Sequence, residues 1–164
     1  MDIETIRRAL RYIGAEVTER PMPTVVVDGS TCYWPQTHTV SLRRPPSEDM
    51  AVYCHELAHS QQSDVSSRVT YYREDGSIDA AIWMADTLER EARAVEIIAP
   101  LMLTSRWAYV ETAIDAVATT ATERADWAKW LLLRHPHFEK PHRLPGKQRR
   151  AMNAAHAAIV RHFY

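Results

Sequence analysis

The chain is expected to fold as an α+β domain. Three observations lead there: a helix-periodic segment at the N-terminus, three short β-like runs between residues 24 and 42, and helical periodicity over most of the remainder. The order helix, small sheet, helical body fits one domain over residues 1–164, and 164 residues are enough to bury one core.

Each element has its own signal. In residues 2–14, Ile3, Ile6, Ala9, Leu10 and Ile13 recur at helical spacing, Asp2 is placed to cap the start, and Gly14 is a natural stop. TVVVDGSTCYW (24–34) holds two short runs joined by Asp28-Gly29, a hairpin signal, and HTVSL (38–42) adds a third run. The expectation is a short, mostly antiparallel sheet of about three strands. RRPPSEDM (43–50) breaks the chain and starts a helix, with Ser47 as cap and Glu48 and Asp49 in a first turn that favours negative charge. That helix runs to about Gln61. Residues 63–78 are polar and read as a loop. A long helix is expected over 77–104, bent near Pro100, then helices over 105–120, 122–134 and 147–162.

Composition narrows the function classes. The chain is 46% hydrophobic and 25% charged, with formal net charge -1, so the whole has no bias toward nucleic acid. No apolar run approaches the roughly 18 residues that span a bilayer. MDIETIRRALRYIGAEV lacks the apolar middle of a signal peptide, and Cys32 and Cys54 make no disulfide framework, so a cytoplasmic location is expected. Charge is uneven: residues 134–164 carry seven Lys and Arg against one acid, Glu139. This is a solvated helix face and tail, or else a docking surface for an acidic partner or nucleic acid.

The chemistry concentrates in YCHELAHSQQ (53–62). On a helix, His55 and His59 lie on one face a turn apart and can aim two imidazole nitrogens at one point. Glu56 points about 100° away from His55, poorly placed to bind the same ion and well placed to take a proton from a water beside it. This is the H-E-x-x-H pattern of zinc peptidases. The apolar neighbours Tyr53, Cys54, Leu57 and Ala58 argue for a buried helix rather than a chance match on a surface.

A catalytic zinc keeps three protein ligands and an open position. Val65 and Gln62 stand where an extended pattern would need His and Gly, and Asp64 is a weak substitute. The long helix is the better source. Its apolar stripe runs through Ala81, Met84, Ala85, Leu88, Ala92, Val95, Ile98, Ala99 and Met102, and Glu91 falls on it. A carboxylate there is costly unless satisfied, so Glu91 is the favoured third ligand, with Glu89 next. Glu89 and Glu96 lie at the stripe's edge, where pairing with Arg90 or Arg93 is the simpler reading.

HELAH (55–59) followed by LEREARAVEIIAPLML (88–103) resembles the gluzincin-type metallopeptidases, and among them the ImmA/IrrE family and the peptidase domain of ArdC-type antirestriction proteins. The resemblance covers roughly residues 25–104 and leaves 105–164 as a helical extension. It implies a zincin-like fold, zinc held by His55, His59 and a glutamate, and Glu56 as general base. Two registers compete. Glu91 with Glu96 fits the ArdC-like E-x-x-x-x-E. Glu89 with Ala92 fits E-x-x-A-N, where Arg93 replaces the family's Asn or Asp and its contact to a ligand histidine.

The expectation is therefore a zinc-dependent metallopeptidase of phage or mobile-element character. Its substrate would be a protein or peptide bound along a sheet edge, such as a repressor-type regulator, with no membrane involved. The alternative is a metal-containing but non-proteolytic binding module working through the basic C-terminal region. A structural metal staple, closed by a fourth ligand such as Asp64, is weaker. Tyr71 and Tyr72 could stabilise an oxyanion but read better as packing. His135, His137 and His142 read as a polar loop, Trp107, Trp127 and Trp130 as core, and Cys54 as a buried thiol.

Overall fold

The computed structural model describes residues 1–63, 87–133 and 144–163. Along these the order is α1 (Ile3–Tyr12), β1 (Thr24–Val27), β2 (Cys32–Trp34), β3 (Thr39–Leu42), α2 (Met50–Gln61), α3 (Thr87–Met102), α4 (Arg106–Asp115), α5 (Ala121–Leu133) and α6 (Gly146–Phe163). The architecture is α+β, with six helices and a three-stranded mixed sheet among the described residues.

α1 starts and stops where its sequence says. The Asp2 carboxylate accepts from the Thr5 backbone N–H at 2.8 Å. At the other end Gly14 takes φ +71°, Gly14 N–H donates to Arg11 O, and Ala15 N–H donates to Leu10 O. This is the paired closure that a left-handed residue after a helix permits. Ile6, Ala9, Leu10 and Ile13 are buried against α2 and α3.

The sheet order is β1-β3-β2, with β1 parallel to β3 and β2 antiparallel to it. The hairpin expected at Asp28-Gly29 does not form, because β3 inserts between the two strands it was to join. Asp28 turns the chain instead. Its carboxylate accepts from the Ser30 backbone and hydroxyl and from the Ser41 hydroxyl, while its N–H donates to the end of β3 at Leu42 O. A D-G turn signal specifies a reversal, not the partner that follows it. The hairpin lies one step later, between β2 and β3, where His38 sits at φ +49°. Tyr33, Val40 and Leu42 point to the core, and α2 packs on that face.

α2 is capped by Asp49, whose carboxylate accepts from Val52 N–H at 3.2 Å, rather than by Ser47. It is buried along most of its length and packs most extensively on α3. α3 continues through Pro100 in its last turn, where the ring removes one i→i−4 hydrogen bond shortly before the helix ends. One core joins α1, the sheet, α2 and α3 to the C-terminal helices, with Trp107, Trp127 and Trp130 all buried in it. No helix among the described residues is long and apolar enough to cross a membrane. The start of the long helix expected over 77–86, along with Asp64, Tyr71, Tyr72, His135, His137 and His142, lies outside the described residues.

Candidate metal centre

α2 and α3 run side by side, and their facing flanks carry the polar groups. His55 and His59 stand one turn apart on α2 with rings nearly perpendicular, at 82°. Their Nε2 atoms approach to 3.1 Å. The third group is Glu89 on α3: Oε2 lies 3.2 Å from His55 Nε2 and Oε1 lies 3.3 Å from His59 Nε2. His55, His59 and Glu89 each offer a ligand atom within 4.8 Å of one another.

Glu91, the favoured ligand from sequence, is placed elsewhere. It is as buried as Glu89, but its Oε2 accepts from Gln62 Nε2 at 3.0 Å. Two residues on a helix subtend about 200°, so Glu89 and Glu91 cannot face one point from the same helix. Periodicity located the centre of α3's buried face, where Glu91 sits. The histidines lie on the flank, where Glu89 sits. Glu89, the second choice from sequence, is the glutamate that faces both histidines.

The donors fit a divalent ion. Bonds of about 2.0–2.1 Å at tetrahedral angles put neighbouring ligand atoms roughly 3.3 Å apart. The two Nε2 atoms are 3.1 Å apart, and each has a different Glu89 oxygen near it, Oε2 at 3.2 Å from His55 and Oε1 at 3.3 Å from His59. Two imidazoles and one carboxylate are a common donor set for zinc with a position left open, although nitrogen and oxygen donors also accept other divalent metals.

Each histidine is held from behind. Glu96 Oε2 lies 3.1 Å from His55 Nδ1, and Glu96 Oε1 accepts from Arg93 Nη1 at 3.2 Å. Glu96, seven residues after Glu89 and so on the same side of α3, thus supports His55 from behind. Glu96 does pair with Arg93, as its sequence reading had it, but it reaches the histidine as well. Gln62 Oε1 lies 2.8 Å from His59 Nδ1. In the sequence Gln62 stands out only as a residue that excludes an extended zinc pattern. Its place three residues after His59, at the cap of α2, was the signal that could have singled it out.

The electrostatics follow from this crowding. Burial pulls the His55 pKa down, but hydrogen bonds to Glu89 and Glu96 outweigh it and raise the ring to about 9. Burial pushes the Glu89 carboxyl up, and its contacts with His55 and His59 outweigh that, holding it well below the usual range. Glu56 is 6% exposed, and its Oε2 has no hydrogen-bond partner among the described residues. A buried carboxylate oxygen left unpaired is costly, which marks the position as one kept for another purpose. Cys54 is fully buried and burial raises its thiol to about 12, so it is an inert core residue. No family model, curated protein or solved structure matches the chain.

Proposed function

We propose that the protein is a zinc-dependent metallopeptidase, with His55, His59 and Glu89 holding the ion. The observation that carries this reading is the convergence of both Nε2 atoms and the Glu89 carboxylate, each offering a ligand atom within 4.8 Å of the others, together with buried Glu56, whose Oε2 has no hydrogen-bond partner among the described residues. When bound, the ion would act as a Lewis acid on the scissile carbonyl and acidify a water. Glu56 Oε2 takes a proton from the attacking water and hands it to the departing amine nitrogen, the two roles of one general acid–base. Glu96 and Gln62 keep the two imidazoles in register for the ion. The substrate is an extended peptide segment laid against the sheet, with β2 the outer strand that α2 packs on. The motif's resemblance to regulator-cleaving peptidases favours a regulatory protein as that substrate.

The test is Glu56→Gln. It should keep one metal equivalent and lower peptide hydrolysis by about 10²–10⁴-fold, the usual worth of a general base. Equal hydrolysis by wild type and variant would refute the mechanism. A second reading, a metal-containing binding module, draws on the exposed basic residues Lys147, Arg149 and Arg150 at the start of α6. It is preferred if the biological effect survives Glu56→Gln and is lost when those three charges are reversed.

A further inference from the structure

The buried polar network behind His59 is more specific than the metal triangle needs. Gln62 is fully buried at the end of α2, and its backbone is fixed by a bridge to Val17. The neighbouring Gln61 carbonyl accepts from the Thr18 N–H at 2.7 Å. The Gln62 side chain therefore starts from an immobile point. Its Nε2 end donates to two groups on α3, the Leu88 carbonyl at 2.8 Å and Glu91 Oε2 at 3.0 Å. A carbonyl and a carboxylate are acceptors only, so the amide cannot be turned round without setting oxygen against oxygen at both contacts. With the nitrogen end fixed, Oε1 faces His59 Nδ1 at 2.8 Å. An amide oxygen only accepts, so that ring nitrogen carries the proton. A neutral imidazole has one N–H, and Nε2 is left with its lone pair directed at His55 and Glu89.

We propose that Gln62 and Glu91 are a positioning pair for His59: Glu91 orients the Gln62 amide, and the amide oxygen holds the His59 Nδ1 proton so that Nε2 is the ligating atom. The proposal rests on the metal-centre reading and gives Glu91 a role one residue removed from the ion. It also accounts for a buried glutamate that ligation does not use. The two histidines are thereby oriented by different chemistry, His55 by the Glu96 carboxylate and His59 by a neutral amide. The amide adds no further negative charge beside the ligand set.

The experiment is zinc affinity by chelator competition on the full chain, for wild type, His59→Ala, Glu89→Gln, Gln62→Met, Glu91→Met and Glu91→Gln. Gln62→Met removes both ends of the amide at similar size and should lower affinity by about 10–100-fold, the usual worth of such an orienting contact. Glu91→Met should lower it in the same direction. Glu91→Gln should restore it nearly to wild type, because a carboxamide oxygen still accepts from Gln62 Nε2, a rescue that mere packing would not produce. Wild-type affinity in Gln62→Met overturns the proposal. So does loss of metal in Glu91→Gln as complete as in Glu89→Gln, which would make Glu91 a ligand. If wild type and His59→Ala bind zinc equally weakly, the metal-centre reading itself has failed, a distinct result. Should Gln62→Met not fold, nitrogen-15 spectra of the wild-type histidine rings decide. Zinc-loaded His59 should be bound through Nε2 with a retained Nδ1 proton, and binding through Nδ1 would refute the pair.

Discussion

At the scale of single residues, the account turns on which of two buried glutamates faces the histidines. Glu89→Gln should abolish tight metal binding while Glu91→Gln retains it, measured as metal per chain after dialysis. The same residues set a pH dependence whose sign can be worked out. In the metal-free protein the His55 pKa is raised from 6.5 to about 9, so its contribution to stability is full below pH 6.5 and is lost as pH rises through about 9. The Glu89 pKa is lowered from 4.5, so its contribution is present above pH 4.5 and is lost as pH falls below it. Metal-free protein should therefore melt highest between about pH 4.5 and 6.5 and lower toward pH 9. Zinc binding should run the other way, strengthening as pH rises because the ion must displace the His55 proton. Thermal melts with and without zinc across this range check both signs. That His55 and His59 share one helix face was legible from their spacing. That Glu89, the second choice, and not Glu91 faces them was not, because helical periodicity reports how deep a position is buried, not which neighbour it faces.

At the scale of elements, capping and turn chemistry carry most of what the sequence makes legible. Asp2 and Gly14 delimit α1 as read, since a cap and a left-handed stop are local interactions. Gly14→Ala should cost about 1–2 kcal/mol, because the residue sits at φ +71° and a Cβ would come within 3.3 Å of the Ala125 Cβ. Asp49→Ala should cost about 1 kcal/mol, and Ser47→Ala close to nothing, since Asp49 is the cap. Chemical denaturation of the three variants checks the order. The sheet is where local reading stopped short. The run lengths and the reversal at Asp28 were visible, but the insertion of β3 between β1 and β2 is a long-range pairing, and no local signal encodes it. Ser47 and Asp49 are both good caps two residues apart, and only the true helix start separates them.

At the scale of the whole molecule, the candidate metal centre lies between α2 and α3, the two most extensively packed helices, and an ion there would cross-link them. An ion bound only by the folded chain stabilises it by about 2.7 kcal/mol at a free concentration 100 times its dissociation constant. Chelation should accordingly lower the melting temperature, and zinc should restore it, in wild type but not in Glu89→Gln. Leu57, fully buried on α2 between the two histidines in sequence, ties this centre to the core. Leu57→Ala should cost about 2–5 kcal/mol and weaken metal binding with it, since the helix that aims both rings is loosened. The overall α+β class was readable because periodicity changes along the chain are coarse and robust. How the helices lie against one another was not, and which glutamate faces the histidines depended on it.

The most direct test is anomalous diffraction at the zinc edge from crystals of the full chain grown with zinc. The account predicts one strong peak about 2.0–2.1 Å from Nε2 of both His55 and His59 and in contact with a Glu89 carboxylate oxygen. A map with no peak between these three side chains, or with the ion on Glu91 instead of Glu89, would contradict it.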